Sequence, residues 1–75
     1  MERGVRGDAI EVTVNGRVRS VATGLSVQGL LESLDLRPEL IVVERNREIL
    51  TRDRYAEEVL EAGDVIELVH FVGGG

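Results

Sequence analysis

A single stretch of helical periodicity constrains this chain more than any other feature. In "LSVQGLLESLDLRP", Val27, Leu30, Leu31 and Leu34 fall at i, i+3, i+4 and i+7 and form one apolar stripe. Ser26 is placed to cap the helix, and Leu25 before it can staple onto Leu30 at the fourth helical position. Pro38 marks the expected stop. Gly29 inside the helix costs about 1 kcal/mol relative to alanine, so a close approach, expected from the sheet, must favour it. The segments on either side read as strands and tight turns. The chain is 75 residues long and has no cysteine; a chain this short forms one domain and buries only about 60% of its unfolded surface. One helix must therefore cover one sheet.

The strands follow from alternation and turn chemistry. "DAIEVTVNGRVRSVA" places Ile10, Val12 and Val14 on one face, followed by Asn15-Gly16, the residue pair that a type I′ hairpin turn requires because both central residues take positive φ. A two-residue loop puts Arg17, Arg19 and Val21 opposite Val14, Val12 and Ile10. This second strand is expected at an edge, with its arginines reaching past the core. "LIVVE" and "EIL", separated by Arg45-Asn46-Arg47, give a second hairpin. "TRDRYAEEVLEAGD" reads as one or two helical turns anchored by Tyr55, Val59 and Leu60. The run from Val65 to Val72 is apolar on both faces apart from Glu67 and His70, as expected of a central strand. The order is β, β, α, β, β, short helix, β. By fold analogy this is an α+β protein of the β-grasp, ubiquitin-like type: a mixed sheet of four to five strands packed on one main helix, with the first and last strands parallel in the middle. Residues 1–7 read as a flexible leader, 8–72 as the domain and 73–75 as a flexible glycine tail.

Composition removes several functions. Without cysteine there is no thiolate nucleophile, thiolate metal site or disulfide, and with His70 as the one histidine zinc ligation is not expected. The 14 acids against 9 bases, net charge −5, argue against binding a phosphate backbone. All nine bases are arginine, which reflects either genomic composition or an absence of side-chain amines open to acylation. No signal peptide or membrane-length apolar run is present, so a cytoplasmic protein with no membrane partner is expected. His70 reads as a half-exposed packing residue, since no base-and-orienter arrangement supports a triad. The pairs Glu57 with Glu58 and Glu44 with Glu48 read as solvated faces. The Arg45, Arg47, Arg52 and Arg54 stretch has interleaved acids and no stacking aromatic beyond Tyr55, which argues against RNA.

The remaining feature is "HFVGGG". The glycines are not a phosphate loop, because no helix follows them. Two readings stand at this point. Phe71 and Val72 either finish a core strand before a frayed end, or anchor a narrow arm formed by Gly73, Gly74 and Gly75. Three extended residues reach roughly 10 Å, and glycines can thread a channel that a Cβ would block.

Asn15-Gly16, the leucine helix from Val27 to Leu34, "VVERNREIL", "AGDVIELVHFVGGG" and the closing Gly74-Gly75 together resemble the ThiS family, the sulfur carriers of thiamine biosynthesis. The resemblance covers residues 8–75. It implies a non-catalytic carrier whose reactive group is the Gly75 carboxylate. An E1-like adenylyltransferase of the ThiF type would activate that carboxylate with ATP, sulfur from a cysteine desulfurase would convert it to a thiocarboxylate, and a ThiG-type thiazole synthase would accept the sulfur. The carrier itself is expected to bind no cofactor. Related carriers serve molybdopterin synthesis, other sulfur acceptors or protein modification, and these alternatives remain open on the residues alone. Molybdopterin carriers usually approach their diglycine through a proline, which "HFVGGG" lacks.

Overall fold

The computed structural model describes residues 7–70. Strands β1 (Ala9–Val14) and β2 (Arg17–Ala22) form the first hairpin, helix α1 spans Val27–Ser33, and β3 (Ile41–Arg45) and β4 (Glu48–Leu50) form the second. Strand β5 (Val65–His70) closes a five-stranded sheet of order β2-β1-β5-β3-β4, parallel to β1 and antiparallel to β3. The expected central closing strand, the edge position of β2 and the five-strand upper limit are all observed.

Both hairpins close by the same chemistry. Val14 pairs with Arg17 around Asn15 (φ 50°) and Gly16 (φ 83°), and Arg45 pairs with Glu48 around Asn46 (φ 52°) and Arg47 (φ 74°). These are two-residue loops with positive φ at both central positions, as type I′ turns need. The second turn is thus one residue shorter than the sequence indicates. Arg45 belongs to β3, and Arg47 takes a left-handed conformation that a long side chain visits rarely.

Alternation sorts each strand into two faces. The inner residues Val12, Val14, Ile41, Val43 and Ile66 pack against Val27, Leu30 and Leu31 of α1, and Tyr55 and Leu60 complete the buried core. The Tyr55 hydroxyl donates to the Ile41 carbonyl at 2.7 Å, so the one buried phenol keeps a partner. Val59, expected as a third anchor of this segment, is instead exposed on a short bridge to Ser26.

The helix ends are fully accounted for. Ser26 Oγ accepts from the Gly29 amide at 3.0 Å, as a cap should. The Val27 and Gln28 amides donate to the Glu58 and Tyr55 carbonyls, so the 55–60 segment satisfies the donors that a helix start leaves open. At the other end Asp35 takes φ 65°, its amide donates to Glu32, and the Leu36 amide donates to Leu31. This is a Schellman closure. The helix therefore stops well before Pro38, which opens a separate 3₁₀ turn, Pro38–Leu40.

Gly29 has a cause other than the expected one. A Cβ built there would lie 2.6 Å from Leu25 Cδ1, with no sheet atom among its nearest neighbours. The stapling leucine, not the sheet, occupies the space. Gly29→Ala is accordingly expected to destabilise by about 1 kcal/mol, because overpacking against a half-buried Leu25 outweighs the propensity gained. In a Leu25→Ala background the same change should become stabilising, a sign reversal that a urea-denaturation double-mutant cycle reads directly.

Candidate functional site

The residues assigned to the arm and its anchor, Phe71, Val72, Gly73, Gly74 and Gly75, lie outside the described residues. What the structure describes is the strand that delivers them. β5 is central, with His70 paired to Ile41 across β3. Two turn asparagines clamp it from opposite flanks. Asn15 accepts from the Leu68 amide at 2.7 Å through Oδ1, and its own amide N–H donates to the Ile66 carbonyl. Asn46 accepts from the Val65 amide at 2.9 Å and donates its backbone N–H to the Val65 carbonyl. Each side chain imitates the peptide group that a longer strand would have supplied. Asn15 extends the ladder beside β5 just where β1 runs out, two residues before His70. The sequence marks both asparagines as turn formers; their second role depends on the arrival of a strand far along the chain.

A charged cluster fixes the other end of β5. The Arg45 guanidinium reaches Glu58 Oε1 at 2.6 Å, Asp64 Oδ2 at 2.8 Å and the Val59 carbonyl at 3.0 Å. Asp64 also accepts from the Asn46 side-chain amide and the Glu61 backbone amide. Burial by itself would raise the Asp64 carboxyl above its ordinary 3.8, but the Glu61 amide, Asn46 and the Arg45 charge together outweigh it and hold the carboxyl lower. A depressed folded value contributes stability that is present above the unfolded value and is lost as pH falls through the folded one. Urea unfolding followed from about pH 6 to about pH 2 should therefore show a loss of stability below the ordinary carboxylate range, and Asp64→Asn should flatten that part of the profile.

The outer face of the sheet carries the second functional feature. Val18 of β2, Ile49 of β4, Val69 and Val65 of β5 and Val42 of β3 remain 66%, 64%, 59%, 45% and 39% exposed. Sequence alternation reads β5 as covered on both faces; it is central in pairing, but only its inner face is buried. Glu44 and Glu67 stand directly opposite each other on this face. An aliphatic band thus crosses the sheet, interrupted by two acids.

The other sequence candidates separate. His70 is exposed at the end of β5, and among the described residues no hydrogen bond joins it to a serine or threonine. Glu57 and Glu58 are occupied by arginines. Glu44 and Glu48 project from different faces, because Glu48 pairs with inward-facing Arg45 while Glu44 pairs with Ile49. Among the described residues no three His, Asp or Glu side chains come together as a metal-ligand group. No described helix is long and apolar enough to cross a membrane.

One helix grasped by a mixed sheet, with a central last strand leading into a glycine segment, defines a ubiquitin-like β-grasp protein. Its sequence matches the ThiS family profile over residues 12–75. The chain belongs to the ThiS family. It is 52% identical over 50 residues to the sulfur carrier protein ThiS of Bacillus subtilis, an alignment covering 67% of this chain and 76% of that protein. It is 39% identical over 66 residues to a thiazole synthase of Magnetococcus marinus, covering 88% of this chain but only 20% of that longer protein. The crystal structure of the thiamine biosynthesis protein ThiS from Geobacter metallireducens superposes with a TM-score of 0.76 at 36% identity, covering 88% of this chain and all of that one.

Proposed function

We propose that this protein is a cytoplasmic sulfur carrier for thiazole formation, acting as a macromolecular co-substrate and not as a catalyst. The observation that carries this reading is the family match, which runs through the glycine segment to residue 75. A carboxylate is a poor electrophile. In the proposed cycle an E1-like activating enzyme joins the Gly75 carboxylate to ATP as an acyl-adenylate with loss of pyrophosphate. The outer sulfur of a persulfide formed by a cysteine desulfurase then displaces AMP to give an acyl disulfide, and a thiol reductant cleaves its S–S bond to leave the thiocarboxylate. ATP is bound by the activating enzyme, and the carrier needs no cofactor of its own.

The architecture suits that role. Threading the tail into a partner costs on the order of 1 to 2 kcal/mol per ordered residue, so a folded docking face must offset it. Covering each aliphatic side chain of the outer face contributes on the order of 1 kcal/mol. The clamps of Asn15 and Asn46 fix β5, whose Val65 and Val69 belong to that face, in the sheet. The alignment with part of a thiazole synthase supports that enzyme as the sulfur acceptor, since a carrier-like stretch within one chain with a synthase implies that the two work together.

The acceptor is tested by incubating the thiocarboxylate form separately with thiazole synthase and its substrates and with the large subunit of molybdopterin synthase. Sulfur should pass to the thiazole product and not to the pterin. Transfer to the pterin alone would reassign the carrier.

A further inference from the structure

Among the described residues Arg37, Arg45 and Arg54 sit in ion pairs, whereas Arg47 and Arg52 do not. Arg17 and Arg19 are exposed on β2, and among the described residues neither is in an ion pair. Their register opposite Val14 and Val12 turns both side chains to the helix side of the sheet. There, with His70, they rim a hollow of about 470 Å³. Its floor is apolar, formed mainly by Leu34, Leu36, Ile41 and Leu68, and three of these are only half-buried. Among the described residues no carboxylate lines it, although acids outnumber bases 14 to 9 in the chain. Two further hollows mix both signs, Glu44 and Glu67 with Arg47 in one and Glu48 and Glu58 with Arg45 and Arg54 in the other.

This chemistry selects its occupant. Guanidinium groups bind carboxylates through paired N–H donors, and an apolar concavity of this size holds one or two aliphatic side chains. A net charge of −5 repels acids at a distance, but beyond about 8 Å at physiological ionic strength that repulsion is screened, and inside the hollow the local charge is positive. The hollow lies beside His70, the last described residue of β5. We propose that the hollow docks an acidic, leucine- or isoleucine-bearing segment of a partner protein, with carboxylates on Arg17 and Arg19 and the aliphatic side chain on the leucine floor. It is a second docking site on the opposite side of the sheet from the outer apolar face, and it stands independently of the sulfur-carrier reading.

The test titrates the full ¹⁵N-labelled chain with a seven-residue peptide alternating glutamate and leucine, and with a counterpart carrying lysine for glutamate. Amide shifts are expected at Asn15, Leu36, Leu68 and His70 with the acidic peptide only, weakening as salt is raised. The double variant Arg17→Glu, Arg19→Glu should raise the dissociation constant about tenfold or more, and Arg17→Gln, Arg19→Gln, which removes charge without reversing it, should do so to a smaller extent. Absence of shifts at ~1 mM peptide, an equal response to the lysine peptide, or shifts confined to Val42, Val65 and Val69 would each overturn the proposal. So would a response to the acidic peptide that is absent when residues 71–75 are present and gained when they are deleted, which would assign the hollow to the chain's own tail, or shifts at Asn15 and Leu36 on raising protein concentration alone, which would assign it to a second copy.

Discussion

Deletion of Gly74 and Gly75 is expected to abolish thiocarboxylate formation, and with it thiazole synthesis in a reconstituted system, while the urea midpoint stays where it was. Among the described residues the buried core lies between Val12 and Ile66, and the deletion removes none of it. Changes away from buried features typically stay within about 0.5 kcal/mol. The proposed chemistry, in contrast, loses the carbon assigned as its reacting centre. Gly74→Val keeps the length and the terminal carboxylate but adds a branched Cβ where a narrow channel must pass; it should bring activity down with equally little effect on folding. Thiazole production by the truncated chain would refute the carrier reading.

The largest expected effect on folding belongs to Arg45→Ala. The Arg45 and Asp64 side chains are only 16% and 8% exposed, and removing one partner of a buried pair costs about 3 to 5 kcal/mol because the remaining charge is stranded. Glu58 retains Arg54 at 2.6 Å, and Asp64 retains Asn46 and the Glu61 amide, which places the expected loss near the lower bound, about 3 kcal/mol. That is a large share of the about 5 to 15 kcal/mol that small domains possess. Arg45→Met keeps most of the stem, so a loss nearly as large would locate the cost in charge and hydrogen bonding and not in packing. A urea-measured loss below about 1 kcal/mol, the range of an exposed pair, would show that the cluster behaves as a solvated surface.

Local rules carried much of this architecture. Asn15-Gly16 predicts its hairpin with the observed register, Ser26 predicts its cap, and the Val27 to Leu34 stripe places the helix against the sheet. Those signals act over a few residues and need no knowledge of the rest of the fold. The strand order required analogy, because periodicity does not say which strands are neighbours. What escaped depended on distant partners or on atypical residues in familiar roles. Asp35 closes the helix where glycine is the usual choice, and Arg47 takes a positive φ that its side chain disfavours. The Arg45 cluster is hidden among interleaved acids and arginines that look solvated when read linearly. The outer aliphatic band was misread because an exposed apolar face and a buried one share the same alternation. The glycine segment was visible in composition, and the match to the ThiS family runs through it to residue 75.

Asn15 and Asn46 tie β5 by imitating backbone groups, adding to the ladders that β5 makes with β1 and β3.

The most direct measurement is the intact mass of the chain after incubation with a ThiF-type activating enzyme, ATP, a cysteine desulfurase with cysteine, and a thiol reductant. The account predicts a gain equal to the difference between one sulfur and one oxygen atom, located by fragmentation at Gly75 and absent when ATP is withheld. An unchanged mass, or sulfur found elsewhere in the chain, would contradict it.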